Sequence, residues 1–187
     1  MILFFKTNHQ NANIYIAIVL FNINYMQNTN LILQAKNILG FEYNPEDPGL
    51  QGSLFERIIK EYPDLPDGKQ SLRIDLSRYL VLLYSQFTIR CEPELSQAEQ
   101  FQCLRFLARV NERIEYGNFE MNYNERLFRY KTSQSFPGVR DASPAIAYMA
   151  TLHEKLIRQL FKVNIRELDD DDYFNRQVDA VLSTENK

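Results

Sequence analysis

Val110 to Ser133, VNERIEYGNFEMNYNERLFRYKTS, decides the fold. A run of helical period enters this stretch and stops at Tyr116-Gly117. Residues then alternate as in a strand, pass a short polar turn and alternate again. Side chains three and four apart share a helix face, whereas strict alternation marks a strand covered on one side. With the turn centred on Asn124-Glu125, Met121 stands opposite Phe128, Phe119 opposite Tyr130 and Glu120 opposite Arg129. Apolar residues then line one face and opposite charges meet on the other, and a slip by one residue loses both. A four-residue loop, Tyr123 to Arg126, keeps that register and spares Glu125 a left-handed backbone.

Upstream, Ser96 with Glu99 is a capping box that opens the helix, about Gln97 to Glu115. At 100° per residue, Cys103, Leu104, Phe106, Leu107, Val110 and Ile114 share one broad arc, with Arg105, Arg109 and Arg113 on the opposite side. Ser71 to Cys91 is rich in strand formers and reads as two or three strands, the middle one covered on both faces. Ser53 with Glu56 repeats the capping pattern, which predicts a short helix through Leu54, Ile58 and Ile59, halted before Pro63 and the PDLPDG turn. A first helix spans about Asn30 to Leu39, with Leu31, Ala35, Ile38 and Leu39 on its apolar face and Gly40 ending it. Downstream, Ser143-Pro144 starts a long helix that runs to about Lys162. Asp169 to Asp172 and an amphipathic segment, Tyr173 to Leu182, follow. The fold class is α+β, an antiparallel sheet flanked by helices.

A chain of 187 residues, 45% hydrophobic and 13% aromatic, suffices for one domain with its own core. Its net charge of −3 offers no general attraction for nucleic acid or an anionic membrane. Cys91 and Cys103 have no zinc or redox spacing and read as reduced structural thiols, which points to the cytoplasm.

Residues 1 to 25 lack Asp, Glu, Arg, Gly and Pro and are dominated by Asn, Ile, Phe and Tyr. The apolar run Ile14 to Phe21 is far shorter than the ~20 residues that span a bilayer. No small-residue cleavage site follows it. Translation is expected to start at Met26, and the intact mass of the natively expressed protein checks this. The alternative is an extra edge strand, Ile14 to Asn22.

Asn111, Tyr116-Gly117-Asn118-Phe119-Glu120, Arg129-Tyr130-Lys131-Thr132-Ser133 and the helix from Pro144 form a pattern that resembles the YbjN family of small bacterial proteins, described as sensory-transduction regulators. The resemblance covers about Leu76 to Leu168. It implies an α+β fold similar to type III secretion chaperones and a non-enzymatic role in regulation or in handling partner proteins. Chaperones of that fold commonly pair as homodimers. Over Met26 to Gln70 the resemblance calls for a simple hairpin, where Ser53 and Glu56 read locally as a helix.

Arg105, Arg109 and Arg113, with Tyr116 and Asn118 at the helix-hairpin junction, are the candidate partner-binding residues. A solvated, salt-bridged helix face is the competing reading of the arginines. His153 falls within the apolar arc of the last long helix and reads as a core histidine. Asp169 to Asp172 lack the alternation and Gly of a calcium loop and read as caps. Tyr116, Phe119, Tyr123, Phe128 and Tyr130 read as core rather than a stacking platform for nucleic acid. No cofactor, metal or catalytic constellation is expected. The alternative is a small enzyme or ligand-binding protein with its site near Tyr116 and Glu120. The last long helix carries an apolar arc over about half its circumference, wider than one core requires, which predicts a homodimer through this helix or a sheet edge.

Overall fold

The computed structural model describes residues 31–43, 50–51, 53–89, 94–122 and 124–185. The Met26 start, the alternative strand Ile14 to Asn22, Cys91 and Tyr123 lie outside the described residues. Residues 31–39 form helix α1. The strands are β1 (Leu50–Gln51), β2 (Leu54–Tyr62), β3 (Gly68–Asp75), β4 (Leu80–Thr88), β5 (Asn118–Asn122) and β6 (Leu127–Ser135). Helix α2 is Gln97–Arg113, α3 Ser143–Phe161 and α4 Asp171–Glu185, with a 3-10 turn at Ile165–Glu167 between the last two. The strands form one sheet in the order β1-β2-β3-β4-β6-β5. Each neighbouring pair is antiparallel. The α+β class and the antiparallel sheet are as read from the sequence.

Hairpin β5–β6 adopts the expected register, Met121 opposite Phe128, Phe119 opposite Tyr130 and Glu120 opposite Arg129. Its connection is the longer form: β5 stops at Asn122, and the Asn122 carboxamide oxygen accepts the N–H groups of Asn124 and Glu125 at 3.1 and 3.3 Å. An asparagine that mimics a backbone turn in this way needs no left-handed Glu; Arg126 takes the positive φ, 53°.

The predicted helix through Leu54, Ile58 and Ile59 is corrected to a strand. Tyr62 leads into the turn and β2 pairs with β3 as a hairpin, Glu56 opposite Arg73 and Phe55 opposite Ile74. The Ser53 carbonyl accepts the Leu76 N–H at 2.7 Å and the Glu56 carboxylate accepts the Tyr84 hydroxyl at 2.9 Å, so both residues are tied into the sheet. Cross-strand pairing of β-branched and aromatic residues outweighs a local capping pattern.

Along β4, burial alternates from Leu80 to Thr88. Val81, Leu83, Ser85 and Phe87 face the helices, and Leu82, Tyr84 and Gln86 look to the other side, so this central strand is covered on one face and not on both. α1 buries Leu31, Ile32 and Ala35, while Ile38, expected inside, is exposed. Gly40 ends it at φ 72°.

The core has two parts. One lies under α1 and the first half of α3 and includes Phe55, Leu72, Ile74, Ile146 and Met149. The other lies between the sheet, α2, α4 and the second half of α3, with Phe106, Val110, Tyr130, Leu156 and Phe174. Most of the broad apolar arc of α3 is filled within the chain: Ile146, Met149, Leu152, Leu156, Ile157 and Leu160 are buried in these two cores, while Phe161 at its end is exposed. The buried part of that arc calls for no second subunit.

Candidate functional site

The helix-hairpin junction is built by side-chain bonds to main chain. Ser96 and Glu99 form the expected capping box and start α2. Near the end of α2, Asn111 donates to the Phe119 carbonyl at 2.8 Å and accepts the Phe119 N–H at 2.7 Å. Both main-chain groups of Phe119 thus point away from β6 and are satisfied by a side chain. Unpaired edge groups invite strand addition; here Asn111 closes the middle of the β5 edge.

Gly117 is not the cap of α2, which ends on Ile114. It stands at the entry to β5 with φ 77°. An added Cβ would sit 2.4 Å from the Lys131 carbonyl oxygen and 2.7 Å from a Thr132 methyl. Glycine is present because the backbone passes this close to β6.

Beside it, Glu185 at the end of α4 accepts the Glu115 and Tyr116 N–H groups at 3.1 and 2.8 Å. The Tyr130 hydroxyl donates to the Tyr116 carbonyl, and burial pushes that phenol above its ordinary pKa. The Tyr116 ring itself is half exposed and meets Tyr148 edge-on at 5.6 Å. Asn118 donates to Glu120 at 3.2 Å, and Glu120 lies between Lys131 at 3.6 Å and Arg129 at 4.0 Å on the open face of the sheet.

The three arginines do not converge. Arg105 pairs with Asp171 at 3.2 Å and lies over the Phe174 ring, while Arg113 pairs with Asp179 at 3.1 Å. Both hold α4 against α2. Arg109 pairs with Glu112 on its own helix at 2.5 Å. At these exposures each pair contributes at most about 1 kcal/mol. In the acidic run, Asp170 accepts the Tyr173 N–H at 2.6 Å and Asp171 and Asp172 occupy the first turn of α4, the capping role read from the sequence. Among the described residues, no group of His, Cys, Asp and Glu is arranged to hold a metal.

Among the described residues, His153 has neighbours whose types suggest chemistry. Its Nδ1 is 3.1 Å from the Ser85 hydroxyl and its Nε2 is 2.8 Å from the Thr132 hydroxyl. A Ser–His pair can serve acyl transfer, but only where a substrate reaches it. Ser85 and His153 are both 0% exposed, and desolvation lowers the imidazole pKa to about 3. This is a satisfied core histidine that joins α3 to β4 and β6, as expected from its position in the apolar arc.

An apolar stripe that the sequence reading did not single out lies on the outer side of α2. Phe101 is 65% exposed and Leu104 is 44% exposed, and Ala108 extends the stripe. Leu104 was expected in the buried arc; Cys103, Phe106, Leu107 and Val110 fill that arc, leaving Leu104 on its rim. The signal was available in Phe101, an aromatic placed among the polar positions of an amphipathic helix. Comparison of the chain with protein families, curated proteins and solved structures returns no match. No helix among the described residues is long and apolar enough to cross a membrane.

Proposed function

We propose that this chain is a non-catalytic protein-binding module with a regulatory or chaperone-like role in the bacterial cytoplasm, and that it contacts protein through the outer side of α2. The observation that carries this is the exposed Phe101–Leu104 stripe. It lies on a helix whose inner side buries Cys103, Phe106, Leu107 and Val110 and whose Asn111 closes the middle of the β5 edge. Large apolar side chains grouped on one exposed face mark interaction surfaces. Aromatic anchors dominate the energy of such contacts. The resemblance to the YbjN family agrees with a binding role. Arg105, Arg109 and Arg113 are all about half exposed on the same helix, with Arg105 one turn from Phe101, and Arg105 and Arg113 also fix α4. The homodimer is part of the proposal, with α2 in place of α3 as the contact.

Phe101→Ser tests it. At 65% exposure the substitution is expected to leave stability within about 0.5 kcal/mol of wild type. As an interface anchor it is expected to weaken binding by about 2 kcal/mol or more. Tagged wild-type chain should capture a defined protein from its native host, and Phe101→Ser should not. Sedimentation of the wild type as a monomer at tens of micromolar would remove the homodimer.

A further inference from the structure

On the inner side of α2, away from Phe101, an apolar cavity of about 190 Å³ lies between the ends of β4 and β6, α2 and the turn that leaves α3. Phe87, Phe106, Phe128 and Phe161 line it together with Leu160 and Cys103. Phe87 stacks on Phe128 at 5.6 Å and meets Phe161 edge-on at 5.3 Å, so the walls hold one another in place. Its solvent side is formed by exposed lining residues, among them Phe161, Asn164 and Arg166.

The polar groups of the lining are committed elsewhere. The Asn164 carboxamide donates to Glu167 at 2.6 Å and accepts the Arg166 N–H at 3.3 Å, and the Arg166 guanidinium pairs with Glu99 at 3.5 Å. Such walls do not call for a charged ligand. A cavity of about 150 Å³ lined by apolar side chains is large enough to take benzene. Aromatic rings favour another ring among them, edge-on or offset.

We propose that this cavity binds a small neutral aromatic molecule of one or two fused rings, a function separate from protein contact at the outer side of α2. Such a ligand would bridge the 3-10 turn, α2 and the β4–β6 end of the sheet.

Indole is a suitable probe, because the chain contains no tryptophan and indole emission is then read without a tryptophan background. Titrated with full-length protein, indole is expected to show a saturable blue shift. Val163→Phe, which fills the cavity from its partly exposed rim, should weaken binding by about tenfold or more, whereas Phe101→Ser should leave it unchanged. In a Cys91→Ser background, indole should also slow labelling of Cys103 by a small thiol reagent, a readout that does not depend on the Val163 variant folding. Absence of a saturable shift, or binding that neither Val163→Phe nor Cys103 labelling registers, would overturn the proposal. Tighter binding of N-acetyltryptophanamide than of indole would overturn it too, since the cavity would then be reading a polypeptide side chain.

Discussion

Gly117→Ala is expected to destabilise the protein by about 3–4 kcal/mol, on the order of a third of the stability of an ordinary domain. Two costs add. A non-glycine residue at φ 77° is strained by roughly 1 kcal/mol or more. The new Cβ also meets the Lys131 carbonyl at 2.4 Å and the Tyr130 hydroxyl at 2.9 Å, and neither yields without breaking the β5–β6 pairing or the bond from Tyr130 to the Tyr116 carbonyl. Gly138 supplies the internal control. Its φ is 70° and nothing lies within 4 Å of a Cβ built there, so Gly138→Ala should show the conformational cost alone, about 1 kcal/mol. Denaturant unfolding of the two variants side by side separates the terms. Equal losses would mean that the close approach of Gly117 to β6 is not a feature of the molecule.

The second large effect is acid sensitivity through His153. Its imidazole is held neutral by burial, with a pKa lowered from 6.5 to about 3, and the groups around it are the hydroxyls of Ser85 and Thr132 and the ring of Tyr130. None of these is a carboxylate that would favour the imidazolium. Because the unfolded chain takes up the proton first, the stability this histidine allows is intact above the ordinary value and is lost as pH falls through the window between 6.5 and about 3. Across the upper part of that window the loss is on the order of 3 kcal/mol. Surface carboxylates held below their usual range, among them the exposed Asp64 beside Arg158 and the partly buried Asp75 beside Ser77, also lose stability in acid. His153→Gln separates the two sources. It should be destabilised by roughly 1–3 kcal/mol at neutral pH, since an amide fits the two hydroxyls imperfectly, yet its stability should fall less steeply in acid. An unchanged acid slope would mean that the imidazole is solvated in the native protein.

What the sequence made legible was mostly set by neighbours along the chain or directly across a turn. The β5–β6 register could be read because Phe119, Met121, Phe128 and Tyr130 alternate with Glu120 and Arg129, and a single slip spoils both sets. The Ser96–Glu99 box could be read because α2 continues it with seventeen residues of helical period. The same box at Ser53 and Glu56 misled, since the state of 54–62 is decided by pairing to Arg73, Ile74 and Tyr84, which no local pattern contains. Asn111 illustrates the same limit at the candidate site. Its place in the motif was plain, but its task, closing the Phe119 edge, depends on how α2 lies over β5. The width of α3's apolar arc was read correctly, and most of it is taken up by the two cores, with the C-terminal helix α4 as a partner that no local pattern contains. The arginine stripe likewise has two of its three charges facing α4, and the exposed apolar stripe of Phe101 and Leu104 emerges only once the inner side of α2 is filled.

Contact with protein through the outer side of α2 is tested most directly by photo-crosslinking in the native host. A benzoylphenylalanine placed at Phe101 is compared with one at Val139, which is similarly exposed on a different part of the surface. A discrete protein adduct, a second copy or a client, formed from position 101 and absent from position 139 is the predicted result. Adducts that are equal from the two positions, or absent from 101, would contradict the account.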